Sequence, residues 1–373
     1  MEPTASAQDA PSAGPGPEAR WWAFVSGERR GPLAALARAG LSVLALLYRL
    51  GLAARGLWLR LPGVVRRVPC RVISVGNLTV GGTGKTPMVA CVARLVARAG
   101  GRPVIVSRGY RAGAGQPNDE ARELAALCPD VPHLQDPDRR AAILDWLRGN
   151  PCDVAVLDDG FQHRRLARDL DIVLVDALRP FGPGGRYGRL LPRGTLREPP
   201  SALRRADLVV ITRSDQVGGS DLDRLEQSIA ARLRRGTPVL TARHEPSALV
   251  GLDGTRQAPD ALRGERIAAA CGIGHPDAFR RTLEALGARI VFWRAFPDHH
   301  DYTDADLDDV LLGAAAAGAK MLVTTGKDSV KWRRLSVGER VPAAVEIAAL
   351  EVTLRVGEGA GVLEDRIGGL LGG

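Results

Sequence analysis

The stretch Val72-Ile-Ser-Val-Gly-Asn-Leu-Thr-Val-Gly-Gly-Thr-Gly-Lys-Thr86 decides the fold of this chain. Residues 72–75 are rich in β-branched apolar side chains, which predicts a short buried strand. A glycine-rich turn follows and ends at Gly84-Lys85-Thr86. Residues 87–98 then carry valines at helical spacing, and Pro87 is tolerated in the first turn of a helix. A strand, a glycine-rich loop, Lys-Thr and a helix, in that order, predict a phosphate-binding loop.

Each part of this loop has a chemical reason. The glycines let backbone N–H groups converge on phosphate oxygens, and the helix N-terminus adds partial positive charge. Lys85 would reach the β- and γ-phosphates, and the Thr86 hydroxyl would ligate Mg²⁺. Thr79 stands where the motif has its first glycine. The residues predicted to bind nucleotide are Thr79, Val80, Gly81, Gly82, Thr83, Gly84, Lys85 and Thr86.

The composition describes a globular protein with an anionic partner. A chain of 373 residues can hold about two domains. A hydrophobic content of 45% with 25% charged residues suits a folded core. The net charge of +9 suits a nucleotide or an acidic membrane surface. No run of basic residues interleaved with aromatics indicates nucleic acid, so we expect no nucleic-acid partner. The five cysteines lack metal-ligand spacing and are expected to be buried thiols in a reducing compartment.

The first 67 residues differ in character from the rest. Residues 1–20 are rich in Ala, Pro, Gly and Ser and are predicted to be a disordered tail, not a secretory signal. Residues 21–67 carry leucines at helical spacing with arginines between them. The longest uncharged stretch, residues 39–48, is about half of what spans a bilayer. This pattern is typical of a helix lying in a membrane interface, although a helix packed on the protein core would share it. We favour membrane contact.

The remainder alternates between strand-like and helix-like segments. Further apolar runs of strand length occupy residues 103–107, 153–157, 172–175 and 208–211. This alternation predicts a doubly wound α/β fold with a parallel sheet. The pattern restarts near residue 250, so we place a phosphate-loop domain at 68–250 and a smaller α/β lobe at 251–373. A cleft between two such parts is a natural place for two substrates to meet.

A phosphate loop alone does not separate a kinase from a GTPase or an ATPase, and the polar clusters elsewhere in the chain are more informative. Phosphoryl transfer needs Mg²⁺, cations for the moving phosphate and a base for the attacking hydroxyl. Asp158 and Asp159 follow a predicted buried strand, where carboxylates commonly hold Mg²⁺. Any one cluster could equally be a solvated surface, and a His-His pair could also bind zinc. The other clusters are Asp119-Glu120, Arg197-Glu198 and Asp298-His299-His300.

Taken together, these strings resemble the tetraacyldisaccharide 4'-kinase family, the lipid A 4'-kinases, over roughly residues 30–350. The strings that carry the resemblance are Gly76 to Pro87, Ser107-Arg-Gly-Tyr110, Asp119-Glu120, Asp158-Asp-Gly-Phe-Gln-His163, Leu191-Pro192 through Arg197-Glu198, Gly272-Ile-Gly274, Phe296 to Thr303 and Thr324-Thr-Gly-Lys-Asp328.

The resemblance implies a reaction and a location. The γ-phosphate of ATP would pass to the 4'-hydroxyl of tetraacyldisaccharide 1-phosphate and give lipid IVA, with ATP and Mg²⁺ as cofactors. The site of action would be the cytoplasmic face of a Gram-negative inner membrane. The family also has an N-terminal helix that contacts the membrane, and no protein partner is implied. The domain at 68–250 would then be the kinase domain.

The resemblance also implies roles for individual residues. Lys85 corresponds to the phosphate-loop lysine, Asp119 to the base that acts on the 4'-hydroxyl, and His299 to the histidine that orients this base. His300 is the alternative for that last role. The residues expected near the metal are Thr86, Asp158, Asp159 and Glu198.

This chain departs from the family pattern at two places in the second lobe. His275 stands where the family usually has Asn, and Gly326 stands where it has Glu. The turn before Asp119 also lacks the family's usual glycine.

Two other functions fit part of the sequence. A nucleotide-hydrolysing switch is one, because Thr212-Arg213-Ser214-Asp215 is faintly similar to the guanine-reading strand end of GTPases, with Arg in place of Lys. A basic membrane protein that binds nucleotide only structurally is the other. The acidic residues at 119, 158, 159 and 198 favour the kinase.

Overall fold

The computed structural model describes residues 17–109, 119–182, 188–298, 300–333, 335 and 345–372, and of residues 17–20, 22, 119 and 120 it describes the backbone alone. Within these ranges, twelve strands form one sheet. The strands are β1 (Arg71–Asn77), β2 (Pro103–Ser107), β3 (His133–Gln135), β4 (Val154–Asp158), β5 (Leu170–Asp176), β6 (Leu208–Thr212), β7 (Val239–Gly251), β8 (Arg256–Gln257), β9 (Arg266–Cys271), β10 (Arg289–Ala295), β11 (Met321–Thr325) and β12 (Glu346–Val356).

Helices connect most of the strands. The α-helices in the described residues are α1 (Pro17–Ser26), α2 (Pro32–Trp58), α3 (Lys85–Arg98), α4 (Asp119–Leu127), α5 (Arg139–Trp146), α6 (Gly219–Ala230), α7 (Pro276–Ala285), α8 (Asp304–Ala316), α9 (Gly326–Trp332) and α10 (Ala360–Leu371).

The sheet has two parallel halves joined by an antiparallel pair. The strand order is β10-β9-β11-β12-β7-β6-β5-β1-β4-β2-β3, and β8 lies off this path beside β7. Neighbouring strands along the path are parallel, except that β12 and β7 run antiparallel and connect the halves. The predicted α/β class with a mostly parallel sheet is therefore confirmed. Residue 250, where we place the domain boundary, lies within β7, and the boundary itself stays a prediction.

The strand and helix that flank the phosphate loop are anchored in the core. Six of the seven residues of β1 are buried. On α3, Val89, Val92 and Val96 are fully buried, at the spacing of one helix face. They belong to one cluster with Leu363 and Ile367 of α10, so the C-terminal helix returns to the phosphate-loop half. Burying each such side chain stabilises the fold by about 1.5–3 kcal/mol. The loop is thus carried by two rigid elements.

Helix α2 is an exception to this packing. It is described throughout its 27 residues and has no buried residue. Leu36 is 72% exposed and Leu47 is 58% exposed. Packing on the core is therefore not observed for α2, although Val25 and Leu59, which flank it in the same segment, are buried. By length and composition alone, α2 is apolar enough to cross a membrane. Residues 1–16 of the predicted tail, which we place at residues 1–20, lie outside the described residues, whereas residues 17–20 are the first turn of α1.

Candidate active site

The phosphate loop lies between β1 and α3, as the sequence predicts. Gly84 precedes the helix with a φ of 82°, a left-handed conformation that favours glycine. A side chain at Gly84 would also meet His244 of β7, because a Cβ there would lie 3.0 Å from the imidazole Nε2. Gly76, at the end of β1, is required by a close approach, since its Cβ would lie 2.6 Å from the Cβ of Phe161. These glycines allow the loop to pack tightly against its neighbours.

Lys85 begins α3 and points toward oxygen atoms. Its Nζ lies 3.7 Å from Asp159 Oδ1 and 3.5 Å from Asn77 Oδ1. Thr86 follows in the first helical turn and is half-buried. The predicted lysine of the loop is thus adjacent to one carboxylate of the predicted acidic pair.

The acidic pair is placed by the end of β4. Asp158 is the last residue of that strand and is 3% exposed. Asp159 follows with a φ of 50°, a left-handed conformation that is uncommon for a residue with a side chain. Burial raises the pKa of Asp159, but the charges of Lys85, Arg197 and Arg139 outweigh it and leave that pKa below its ordinary value. Asp159 is therefore ionised at neutral pH and attracts cations.

The loop that contains Arg197 and Glu198 runs beside the phosphate loop. Val80 N–H donates to the Thr195 carbonyl at 2.8 Å, and Arg197 N–H donates to the Leu78 carbonyl at 2.7 Å. Arg197 Nη1 also donates to Asp159 Oδ2 at 2.5 Å. These contacts bring a second cation to the acidic pair, 38 positions away in sequence.

Glu198 is engaged by an arginine. Its Oε2 accepts a hydrogen bond from Arg205 Nη2 at 2.6 Å, and the carboxylate is buried. The guanidinium of Arg205 also lies over the Phe161 ring, 4.2 Å from its centroid. The sequence alone contains no signal for this partnership, because Arg205 lies in no recognised motif. The place of Glu198 in a metal shell stays a prediction.

The donor set nevertheless fits Mg²⁺ in a phosphate-loop protein. Among the described residues, no group of three or more His, Cys, Asp or Glu is arranged to hold a metal ion. Mg²⁺ does not need such a group, because it is usually bound by one or two carboxylates, a hydroxyl, substrate phosphates and water. Thr86, Asp158 and Asp159 offer hard oxygen atoms of this kind, and Asp159 lies 3.7 Å from the Lys85 ammonium.

The predicted base and its histidine lie largely outside the described residues. The backbone of Asp119 begins α4, but its side chain is not described, and His299 is not described at all. His300, the alternative, makes contacts with other side chains. Its Nε2 lies 3.1 Å from Asp306 Oδ2, and its ring stacks on Phe296 at a centroid distance of 4.8 Å. These contacts occupy His300, and the pairing of His299 with Asp119 stays a prediction.

The second half of the sheet also reaches the phosphate loop. A Cβ at Gly274, in the loop after β9, would lie 3.8 Å from the backbone nitrogen of Gly82. It would lie 3.1 Å from Asp298 Oδ2, and Asp298 forms an ion pair with Lys327 at 2.9 Å. The predicted clusters of the second lobe therefore come together beside the phosphate loop.

One polar cluster behind the loop was not predicted. It comprises Asp176, Arg213 and His275, and Arg213 contacts the Gly82 carbonyl. Asp176 ends β5 in the same way that Asp158 ends β4. That shared position at a strand end is the signal from which Asp176 could have been found.

Comparisons with known proteins agree with this geometry. A family model described as Tetraacyldisaccharide-1-P 4'-kinase matches residues 37–369. A tetraacyldisaccharide 4'-kinase of Anaeromyxobacter dehalogenans (strain 2CP-C) is 44% identical over 369 residues, which cover 94% of this chain and 94% of the relative. A tetraacyldisaccharide 4'-kinase of Syntrophus aciditrophicus (strain SB) is 44% identical over 328 residues, 81% of this chain and 85% of the relative.

A solved structure has the same fold. It is a crystal structure of LpxK from Aquifex aeolicus in complex with ATP. It matches with a TM-score of 0.68 and 28% sequence identity, and the match covers 90% of this chain and 99% of that chain. The family predicted from the sequence is thereby confirmed, and the chain belongs to the tetraacyldisaccharide-1-P 4'-kinase family.

Proposed function

We propose that this chain transfers the γ-phosphoryl group of ATP to the 4'-hydroxyl of tetraacyldisaccharide 1-phosphate, forming lipid IVA in lipid A biosynthesis. The observation that carries the proposal is the phosphate loop of a lipid A 4'-kinase family member, with Lys85 beside Asp159 at 3.7 Å. The catalytic and metal-binding roles given below are part of the proposal.

The first task of the site is to bind the phosphates of ATP. Backbone N–H groups of residues 81–86 would surround the β-phosphate, as in other phosphate loops. Lys85 lies near Asp159 and Asn77 at the start of α3, and its ammonium would contact the β- and γ-oxygens. Arg197 adds a second positive charge on the same side. Both cations stabilise the charge on the transferred group.

Mg²⁺, when bound, neutralises charge on the β- and γ-phosphate oxygens. Thr86, Asp158 and Asp159 are the residues that would hold it, and Glu198, whose Oε2 accepts from Arg205, would join them. Asp159 has a lowered pKa, so its carboxylate stays charged through the neutral range.

The acceptor hydroxyl needs a base. Asp119 would accept the proton of the 4'-hydroxyl while that oxygen forms its bond to the γ-phosphorus and ADP leaves. His299 would orient the Asp119 carboxylate. Because an aspartate with an ordinary pKa is a weak base for a sugar hydroxyl, its positioning contributes much of the effect.

The exposed apolar helix α2 is consistent with a lipid substrate. The Tyr48 hydroxyl of this helix donates to the Arg197 carbonyl at 2.8 Å, and Arg55 Nη2 donates to the Gln162 carbonyl at 2.5 Å. The apolar helix is therefore attached to the two loops that carry the acidic pair and Glu198. A helix in the membrane surface would bring the site to a headgroup whose acyl chains remain in the bilayer. Each cation near an anionic surface would add about 1 kcal/mol. We infer action at the cytoplasmic face of the bacterial inner membrane.

The reaction can be tested by asking whether ADP release depends on the presence of the lipid. Purified full-length protein is incubated with ATP, Mg²⁺ and tetraacyldisaccharide 1-phosphate in detergent micelles, and ADP release is followed. We expect ADP release only when lipid is present, and its loss when EDTA removes the metal. Equal ADP release without lipid would contradict the kinase and would favour a nucleotide-hydrolysing switch.

A further inference from the structure

Two carbonyl groups of the phosphate loop are held from behind by the end of β6. The Thr212 hydroxyl donates to the Thr83 carbonyl at 3.0 Å, and Arg213 Nη2 donates to the Gly82 carbonyl at 3.1 Å. A trans peptide points its carbonyl and the following N–H in opposite directions. Fixing these two carbonyls therefore fixes the N–H groups of Thr83 and Gly84 on the opposite side, which is the side that faces phosphate in such a loop.

Arg213 is itself tightly placed. Its backbone has a φ of 55°, a left-handed conformation that is rarely kept without a compensating contact. Its Nη1 donates to Asp176 Oδ2 at 2.5 Å, and the Asp176 side chain is only 2% exposed. One guanidinium thus connects the end of β5 to the phosphate loop, and its rigid fork of donors suits two acceptors at once.

The third member of the cluster comes from the other half of the sheet. His275 lies in the loop between β9 and α7, and its Nε2 is 3.1 Å from the same Asp176 oxygen that Arg213 contacts. Burial raises the pKa of Asp176, but the His275 hydrogen bond and the Arg213 charge outweigh it and leave that pKa below its ordinary value. The carboxylate is therefore charged and can accept from both donors.

We propose that Arg213, fixed by Asp176 and His275, is a positioning residue for ATP that holds the phosphate-loop amides in their phosphate-binding orientation. His275 makes this orientation depend on how the second half of the sheet lies against the first. The inference rests on the proposed kinase function for the identity of the nucleotide, and on the hydrogen bonds for everything else. It also gives Arg213 a use different from base recognition, because its guanidinium is occupied by the loop and by Asp176.

The test measures ATP affinity without lipid, by calorimetric titration in the presence of Mg²⁺. We expect Arg213→Gln to raise the Kd for ATP by about tenfold to a hundredfold, the effect of losing a hydrogen bond from a charged group. The KM for the lipid should stay within about twofold, because Arg213 contacts the loop and not the acceptor. Arg213→Lys should also raise the Kd, since one ammonium cannot reproduce the fork.

Changes at His275 separate hydrogen bonding from packing. His275→Ala should raise the Kd for ATP by about fivefold to tenfold, as for one lost hydrogen bond. His275→Asn keeps a donor near Asp176 and should restore most of the affinity. Equal Kd values for His275→Ala and the unchanged protein would overturn the part assigned to His275.

A matched control is an arginine–aspartate pair at the other end of β5, the strand that ends in Asp176. Arg168 forms an ion pair with Asp171, at the start of β5, at 2.7 Å, and both side chains are similarly buried. Arg168→Gln should lower the melting temperature about as much as Arg213→Gln does but leave the Kd for ATP unchanged. An equal rise of the Kd in both variants, or no rise in the Arg213 variants, would overturn the inference. Failure of the unchanged protein to phosphorylate lipid would instead reject the proposed function, and the ATP titrations would still stand.

Discussion

Lys85 occupies the first turn of α3, where its ammonium lies within 3.7 Å of Asp159. Replacing it by alanine removes the cation that we propose contacts the transferred phosphate. We expect Lys85→Ala to lower kcat by at least about 10²–10³-fold, the range for losing one preorganised electrostatic contact. Lys320→Ala is the matched control, because the Lys320 side chain is 74% exposed and forms an ion pair with Glu265 at the surface. Near-normal turnover of Lys85→Ala would refute the nucleotide site.

Asp119 is the proposed base, so its removal should affect the chemical step. We expect Asp119→Ala to lower kcat by about 10²–10⁴-fold, with little change in the KM for ATP. Initial rates at saturating lipid and ATP measure this effect. An unchanged kcat would remove Asp119 from the mechanism.

The two adjacent histidines serve as each other's control. His299→Ala should lower kcat without a large loss of stability. His300→Ala should mainly lower the melting temperature, because His300 contacts Asp306 and stacks on Phe296. The opposite pattern would exchange their roles.

For single residues of the candidate site, the sequence predicts those that belong to contiguous motifs. It misses residues that come into contact only in the folded chain. Lys85, Thr86 and Asp159 were found because a spaced motif or a strand end carries them. Arg213 was noticed only as a faint similarity to GTPases, although it contacts the loop across 131 positions. No periodicity or spacing in the sequence encodes a contact between residues so far apart along the chain. The long-range hydrogen bond requires the folded chain.

At the scale of elements, α2 carries the membrane prediction. Its exposed leucines face no protein surface in the described chain, so a lipid surface is their expected contact. We expect the double change Leu44→Ser and Leu47→Ser to lower binding to anionic lipid vesicles by at least about tenfold, since burial of each leucine contributes about 1.5–3 kcal/mol. Vesicle co-sedimentation measures the binding.

The control for this experiment lies on a distant helix. Leu312 of α8 is 68% exposed, and Leu312→Ser makes the same chemical change away from α2. It should leave vesicle binding unaltered. Equal losses in both proteins would show that general surface hydrophobicity, and not α2, governs the association.

Strong periodic patterns predict elements well. The apolar run at residues 103–107 coincides with β2, and the helix predicted after the phosphate loop is α3. Two elements had no clear signal. β7 includes Arg243, His244 and Glu245, which break an apolar pattern. In α10 only Leu363 and Ile367 are buried among several glycines, so its amphipathic face is narrow. Tertiary contacts, more than local sequence, define these elements.

At the scale of the whole molecule, β7 joins the two halves of the sheet and places His244 behind Gly84. Burial lowers the pKa of His244 to about 4, with a smaller contribution from the Arg213 charge. An unfolded histidine titrates near 6.5, so the unfolded chain binds this proton first as the pH falls. Stability should therefore decrease as the pH falls from about 6.5 toward 4.

The contribution of His244 to the pH dependence of stability can be measured by comparing the native protein with His244→Gln. Between about pH 7 and about pH 5, the native protein should lose about 2 kcal/mol more unfolding free energy than His244→Gln, by linkage. Denaturant titrations at the two pH values measure both proteins. His133 and His163 also have pKa values lowered to about 4, mainly by burial, but they are present in both proteins and cancel. Identical pH dependence in the two proteins would contradict a buried neutral His244.

The measurement that tests the central claim most directly is mass spectrometry of the lipid itself. Tetraacyldisaccharide 1-phosphate is incubated with the purified protein and Mg²⁺-ATP, and fragmentation locates any added group. We expect a gain of one phosphoryl group on the sugar that carries the 4'-hydroxyl, and no gain with Lys85→Ala. Unmodified lipid beside steady nucleotide hydrolysis would contradict it.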